Sequence, residues 1–377
     1  MKKNIFAAVL SIASLSVSSA FGVDVDSSGS STQDYSFILD SGNSVSISRS
    51  TVTPKVSGNF DDGSVINNGY SPVTNTSIEA KWDYQGMTIG ISTSSPYLGT
   101  LRYTDGILTN AGAKVTSNET AIVASRGLGN GLKVFGGLRI NQFKAKIDEP
   151  YAGLPANSTY SIAGGYQYEL DTGSNTGFAV GMAYEVPQIM LRASIQYNTE
   201  IQHKNAKETE TIGANTISST PDDMVAPSSM IIKLRSALSP RLLAFANYRS
   251  SAYKKLKVTG ENAGGVGIEG SLHDPESGSD ITVGIGLKVN DQINVLLGTA
   301  RGQSKDTGGL ASALAPFKGT NTNFLGASFK VNDNLELNAS YSLTTFGDAT
   351  AGVPPANAAP FTDNKGTRVT IGTKISF

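Results

Sequence analysis

The sequence predicts an all-β protein: a transmembrane antiparallel β-barrel of about fourteen strands, with a short amino-terminal plug or hatch segment. Three observations carry that expectation. Side chains of a strand alternate between its two faces, and the chain's last residues read Thr367, Val369, Ile371, Thr373, Ile375 and Phe377 against Arg368, Thr370, Gly372, Lys374 and Ser376. The alternation recurs upstream: Leu335, Leu337, Ala339, Tyr341 and Leu343 stand against Glu336, Asn338, Ser340, Ser342 and Thr344, and Ile281 to Val289 repeats it. The wetter face is made of Gly, Ser, Thr, Asn and Lys, whereas the inner face of a soluble sandwich is built from large apolar side chains. Apolar residues outside and polar ones inside is the arrangement of a barrel in lipid.

Composition narrows the classes further. With 30 Lys and Arg against 31 Asp and Glu, the chain carries a net charge of −1 and no basic stripe, which argues against a nucleic-acid partner. It has no Cys, which suits an oxidising envelope. Beyond the first twenty residues no apolar run approaches the ~20 residues of a spanning helix. A barrel needs only every second residue to be apolar.

In chain order, residues 1–20 read as a secretory signal: Lys2 and Lys3, the apolar run Ile5 to Val17, then Ser18-Ser19-Ala20 before the cleavage point. Residues 21–43 are Ser-, Asp- and Gly-rich with one apolar knot, Tyr35, Phe37, Ile38 and Leu39, read as a flexible tail or a plug that covers an apolar pocket inside the barrel. The barrel follows over 44–377. Its strands are expected near 44–58, 75–84, 86–103, 114–126, 130–147, 159–186, 188–204, 226–238, 241–258, 279–289, 292–302, 320–331, 334–346 and 366–377. The count holds if 159–186 is one strand interrupted at Asp171-Thr172-Gly173-Ser174-Asn175. Gly129-Asn130-Gly131, Asn290-Asp291 and Asn332-Asp333-Asn334 are hairpin chemistry, while 205–226, 260–279, 302–319 and 347–365 read as long linkers. Short turns at one end and long loops at the other orient the barrel, with the short turns periplasmic.

The segment from Pro221-Asp222-Asp223 through Ile231 and Ser239-Pro240-Arg241-Leu242-Leu243 to Asn247-Tyr248-Arg249-Ser250-Ser251-Ala252-Tyr253-Lys254-Lys255-Leu256 resembles the long-chain fatty acid transporter (FadL-type) family of outer-membrane proteins. Asp280 to Asp291, Asn321 to Asn334 and Leu335 to Gly347 look like that family's late strands. Ser71 to Tyr103, with Ser95-Pro96-Tyr97-Leu98-Gly99, is similar to its second and third. The resemblance implies a fourteen-stranded barrel, an amino-terminal hatch, hydrophobic ligands held near the outer rim, and sideways release at a kink in the third strand, where Pro96 falls. Pro cannot donate to a ladder, which independently favours a bulge or opening there. The Asn-Pro-Ala motif of the family's hatch is absent, and the segment is shorter.

The expected function is an outer-membrane channel of a Gram-negative bacterium for passive uptake of a hydrophobic small-molecule substrate such as long-chain fatty acids. It would be no enzyme and need no cofactor. A general aqueous porin and a structural or adhesive barrel are the alternatives. Ligand-binding or gating residues are Pro96, Tyr97, Tyr35, Phe37, Leu39, Leu310, Leu314, Phe317 and Lys254. Leu310, Leu314 and Phe317 fall in Gly308 to Phe317, whose spacing suggests a short amphipathic helix. Lys254, Lys255 and Lys257 are placed to meet a ligand carboxylate or lipopolysaccharide phosphates. Partners are outer-membrane lipid and lipopolysaccharide, and the barrel assembly machinery through the carboxyl-terminal Phe377. Arg139, Lys233, Arg235, Arg368 and Lys374 are read into the lumen, paired with acids such as Glu336 or Glu79. Trp82, Tyr84, Tyr103, Phe143, Tyr184, Tyr197, Tyr341, Phe346 and Phe377 are expected at the membrane interfaces. His203 and His273 are too few and too far apart for a metal cluster; His203 is the sole conceivable hydrolase histidine.

Overall fold

The computed structural model describes residues 33–377 except 60–64, 105–108, 150–165, 205, 213–214, 220–223, 253–257, 262–268, 274–277, 305–310, 313–315 and 354–356. The signal sequence, Lys254 with its neighbours, Leu310 and Leu314 lie outside the described residues.

Fourteen antiparallel strands close on themselves. They are β1 Ser44–Lys55, β2 Val73–Tyr84, β3 in two pieces (Met87–Ser94 and Gly99–Arg102), β4 Gly112–Gly129, β5 Leu132–Glu149, and β6 in two pieces (Tyr166–Asp171 and Asn175–Val186). There follow β7 Leu191–Asn198, β8 Ser229–Ser239, β9 Leu242–Ser251, β10 Gly278–Lys288, β11 Ile293–Ser304, β12 Thr320–Lys330, β13 Leu335–Phe346 and β14 Lys365–Ser376. Closure is the pairing of β1 with β14, from Ser44 opposite Ser376 to Lys55 opposite Lys365. Each strand is also paired to its sequence neighbour, so the wall has no free edge along most of its length.

The alternation read from the sequence is the alternation of the wall. Ile281, Val283, Ile285, Leu287 and Val289 are exposed outward, as are Leu325, Tyr341, Leu343, Val369 and Ile371. In a soluble protein such a face would be an aggregation surface; here it is the band that meets lipid. Of the expected interfacial aromatics, Trp82, Tyr84, Tyr184, Tyr197, Tyr341 and Phe377 are exposed on the outer surface. Tyr103, Phe143 and Phe346 are not: they are 1%, 3% and 2% exposed and line the interior. Their strands continue beyond the lipid band, where an inward aromatic packs against other rings instead of sitting at a headgroup level.

The short turns cluster at one end. Gln85-Gly86 and Asn130-Gly131 take positive φ at both residues, as two-residue hairpins require. Both chain ends of the barrel, Asn43 and Phe377, meet at this end, where the Phe377 N–H donates to the Asn43 carbonyl.

The sixth strand is one strand with a fault, as its polar patch suggested. Pairing to β5 runs at Lys144 opposite Asp171 and resumes at Asn141 opposite Asn175, so three residues face two. Gly173 takes φ +62, and the buried Thr172 hydroxyl bonds both polar groups of the Phe143 backbone. The stretch 205–226 is more than a linker. Lys207–Ile212 pairs with the outer piece of β6 and with Asn215–Ser219, raising the wall over β4 to β7. Glu is a poor strand former in general, but here Glu208 and Glu210 alternate inward, and Glu208 accepts from the Tyr168 hydroxyl. The helix read over 308–317 is corrected at Ala311–Ser312, a short strand parallel to Ala351–Gly352.

Depth in the bilayer is testable. Ile285→Arg, at the centre of the apolar stripe of β10, is expected to cost about 2–4 kcal/mol of folding free energy in lipid vesicles. Val289→Arg, next to the turn, should cost about 0–1 kcal/mol. Equal losses at both sites would contradict this membrane placement.

Candidate functional site in the barrel interior

Residues 33–43 lie inside the barrel, and their sequence explains how they are held. Ser36–Leu39 forms one short 3-10 turn that buries Phe37, Ile38 and Leu39. These side chains pack with Tyr35 against Ala121, Val123, Phe135, Ala179 and Ala183 on the inner wall. Each such burial contributes about 1.5–3 kcal/mol relative to exposure. Gly90 of β3 makes the room: a Cβ there would stand 2.7 Å from Ile38 Cδ1 and 2.8 Å from Phe37 Cε2.

Polar lumen groups hold the backbone on either side of the knot. Lys81 Nζ donates to the carbonyls of Asp40, Ser41 and Gly42 at 2.7, 3.2 and 2.6 Å, using all three of its donors on the exit turn. Lys133 and Arg192 donate to the Leu39 carbonyl, and Ser125 to that of Ile38. Arg192 also pairs with Asp40, and Lys233 with Asp34. Gln196 behaves like the edge of a neighbouring strand: its Nε2 donates to the Gln33 carbonyl at 2.7 Å and its Oε1 accepts the Tyr35 N–H at 2.9 Å.

Above the knot lies a dry polar layer centred on Glu119 and Arg139, whose side chains are 1% and 0% exposed. Arg139 Nη2 donates to Glu119 Oε2 at 2.9 Å, its Nε to Oε1 at 3.2 Å, and its Nη1 to the Thr199 carbonyl. Glu119 also accepts from the Tyr35 hydroxyl, Gln33 and Asn141. Arg249 donates to Gln33 Oε1 at 2.9 Å. The predicted lumen cations are therefore inside, but the partners of Arg139, Lys233 and Arg235 are Glu119, Asp34 and Asp40, not Glu336 or Glu79. Alternation fixed the face; Asp34 and Asp40 belong to a segment whose path sequence did not give, and Glu119 needed the β4–β5 register.

Toward the long loops the interior turns apolar. Val52, Tyr70, Leu101, Phe143, Met224 and Phe361 belong to one buried cluster, which also takes in Tyr97, Phe317 and Phe346. Phe317 packs against Phe346 with tilted rings whose centroids are 4.6 Å apart. Tyr97 meets Phe143 edge-on at 6.1 Å.

The wall is broken beside this cluster. The β2–β3 ladder stops at Ile78 opposite Thr93, and a backbone bridge reappears only at Tyr70 opposite Leu101. On the other side β3 pairs with β4 up to Ser94–Glu119 and resumes at Gly99–Val115, four residues facing three. Side chains replace the missing ladder: the Ser95 N–H donates to Asn75 Oδ1 at 3.2 Å and the Tyr97 N–H to Ser117 Oγ at 2.7 Å. Pro96, buried between them, has no N–H to satisfy.

Of the sequence-predicted residues, Tyr35, Phe37, Leu39, Pro96 and Tyr97 therefore converge on the inner face around β3 and β4. Phe317 lines the same apolar cluster as Tyr97. Gln33, Gly90, Glu119, Gln196 and Asn198 were not foreseen. Glu119 and Arg139 are diagonal neighbours, since Ala121 faces Arg139 and Glu119 faces Asn141. That pair was within reach of the sequence once the β4–β5 register was known.

His203, beyond the end of β7, is buried; its Nδ1 accepts from Asn175 Nδ2 at 3.1 Å, leaving the proton on Nε2. Burial pushes its imidazole down to about 4. Among the described residues no Ser hydroxyl bonds to it.

Solved structures share this fourteen-stranded barrel fold. The chain is similar to a Pseudomonas aeruginosa FadL homologue, with TM-score 0.69 and 13% identity over 95% of each chain. It is similar to the P. putida toluene transporter TodX, with TM-score 0.66 and 11% identity over 95% of this chain and 99% of that one. It is also similar to the Ralstonia pickettii toluene transporter TbuX, with TM-score 0.60 and 11% identity over 96% of each. No family model and no curated protein matches the sequence. The fold is that of FadL-type channels, the resemblance read from the strand motifs.

Two outcomes are expected. Glu119→Gln leaves Arg139 buried without its charge partner and should cost about 3–5 kcal/mol in denaturant unfolding. The double variant Glu119→Gln/Arg139→Gln should recover most of that. For His203, the unfolded chain binds a proton below about 6.5, the folded one only below about 4. Stability should thus fall as pH drops from 6.5 to 4, and His203→Gln should flatten that slope in pH-dependent unfolding.

Proposed function

We propose that this protein is an outer-membrane channel of a Gram-negative bacterium for passive uptake of hydrophobic small molecules such as long-chain fatty acids. In this reading the short turns face the periplasm and the long loops face outside. Residues 33–43 are the plug, the apolar cluster holds the ligand, and the break in β3 is the lateral exit. The observation that carries it is the stretch Ser95–Leu98, without ladder partners on either side and beside the apolar cluster and Glu119. A lipid-like solute leaving there never crosses an aqueous phase. The neighbours' own names, a FadL homologue and toluene transporters, support the same ligand chemistry.

Close packing beside residues 33–43 counts against an open aqueous pore on that side of the lumen. The cavity beside the plug, lined by Phe37, Asp40, Arg192, Lys233, Arg235 and Phe245 among others, holds only about 30 Å³, roughly enough for one water. Phe377, 69% exposed at the periplasmic end of β14, is available to the assembly machinery.

The test is planar-bilayer conductance of the mature protein, with and without residues 23–43, beside cellular uptake of a radiolabelled long-chain fatty acid. Low conductance that rises on truncation is expected, and Gly90→Leu should raise it too by displacing Phe37 and Ile38. Pro96→Ala combined with deletion of Leu98, which restores three residues against three, should slow uptake at unchanged barrel abundance. High conductance in every form would establish a porin instead.

A further inference from the structure

Above the lipid band, the outer surface of β4 to β7 carries a patch that the channel reading does not use. On β5 the outward residues run Leu132, Val134, Gly136, Leu138 and Ile140, then switch to Gln142, Lys144, Lys146 and Asp148. On β4 the outward series climbs from Ile122 through Thr120, Asn118 and Thr116 to Lys114. At about 3.4 Å per residue and a tilt near 40°, Lys144 stands roughly 10 Å above Ile140, at headgroup height.

There the raised wall forms a concavity of about 340 Å³ whose lining includes Lys114, Lys144, Lys146 and Lys207, with Glu169 and Asp171 between them. Lys144 pairs with Asp171 at 2.6 Å and Lys146 with Glu169 at 2.7 Å. Lys207 faces Asp171 from the other side in register, and Lys114 stands directly opposite Lys146. Among the described residues neither Lys114 nor Lys207 forms an ion pair. Four ammonium groups thus share the two carboxylates of the lining, with Asp148 at its edge paired to Arg102, and two of the four are cross-strand neighbours whose repulsion a further anion would relieve.

We infer that this shelf binds the phosphate of an outer-leaflet glycolipid of the lipid A type, its acyl chains lying along Ile122, Leu138 and Ile140. Charge complementarity selects an anion, and the position immediately above the lipid band selects one tethered to acyl chains over a soluble one. The inference rests on the outer-membrane placement proposed above.

The experiment uses the refolded mature protein in detergent and measures binding by native mass spectrometry. The probes are bisphosphorylated hexa-acyl lipid A, its monophosphorylated analogue, and inorganic phosphate. Wild type should hold the bisphosphorylated lipid, with weaker binding of the analogue. K114Q/K144Q/K146Q/K207Q should weaken it at least tenfold, arginine at the same four positions should retain it, and Arg126→Gln, outward on β4 at the opposite end, should leave it unchanged. Undiminished binding by the glutamine variant would overturn the proposal. So would displacement of the lipid by equimolar inorganic phosphate, which would make the shelf a free-anion site. Folding is read independently from the heat-dependent shift of the barrel on gels, so a misfolded variant is recognised and the single variants K114Q and K207Q take its place. Cell fractionation separates the two readings. A protein missing from the outer membrane overturns the placement, whereas an outer-membrane protein indifferent to lipid A overturns the shelf alone.

Discussion

Backbone hydrogen bonds in hydrocarbon have no solvent to fall back on, and that constraint governs nearly everything in this molecule. It forces the strands to close, so that β1 finds β14 across the whole chain. It makes alternation obligatory, because each strand carries lipid on one face and the lumen on the other. It also gives meaning to the stretch of β3 where the ladder fails on both sides. A run of four residues without strand pairing would be unremarkable in a surface loop. In this wall it is kept only because Asn75 and Ser117 supply acceptors and Pro96 removes a donor.

How much was legible follows from the same constraint. The strand faces were, since period-two patterning with Gly, Ser and Thr inward does not build the core of a soluble sheet; Val369 and Ile371 outward against Arg368 and Thr370 inward is one case. The interrupted sixth strand was legible through parity, because a turn at 171–175 would leave an odd number of crossings where single-chain barrels have an even one. What alternation cannot carry is height. Tyr103, Phe143 and Phe346 looked like interfacial rings by their closeness to strand ends, yet their strands overshoot the bilayer and their side chains face inward. Lumen partners needed more than alternation, the strand register in one case and the path of a segment in the other. Arg139 and Lys233 are satisfied by Glu119 and Asp34, and the second of these belongs to a segment with no periodic signal at all.

The amino-terminal segment shows how a short, polar stretch becomes ordered without a strand or long helix of its own. One 3-10 turn supplies three apolar side chains, and the remaining backbone groups are met by wall side chains, with Lys81 and Gln196 standing in for the missing ladder. Each neutral bond of this kind contributes about 0.5–1.5 kcal/mol net and each bond from a charged group about 1.5–3 kcal/mol, and the apolar knot contributes several more. A docking built from many modest terms is firm in sum and separable in parts.

That separability reaches the broken strand as well. Gln33 reaches Glu119 at 3.1 Å and the Tyr97 hydroxyl at 3.5 Å, so the segment and the broken strand share a polar contact. Glu119 itself faces Ser94, the last paired residue before the break. A ligand that displaced Gln33 or Tyr35 would therefore strip hydrogen bonds from Glu119 and loosen Tyr97 in the same event, without any signal travelling through the barrel. Conversely, while both remain in place, Glu119 is fully engaged and the apolar cluster is floored by a dry polar layer. The coupling needs no long pathway because the contacts of Gln33 and Tyr35, the polar layer around Glu119 and the margin of the break in β3 are built from the same few residues of the wall.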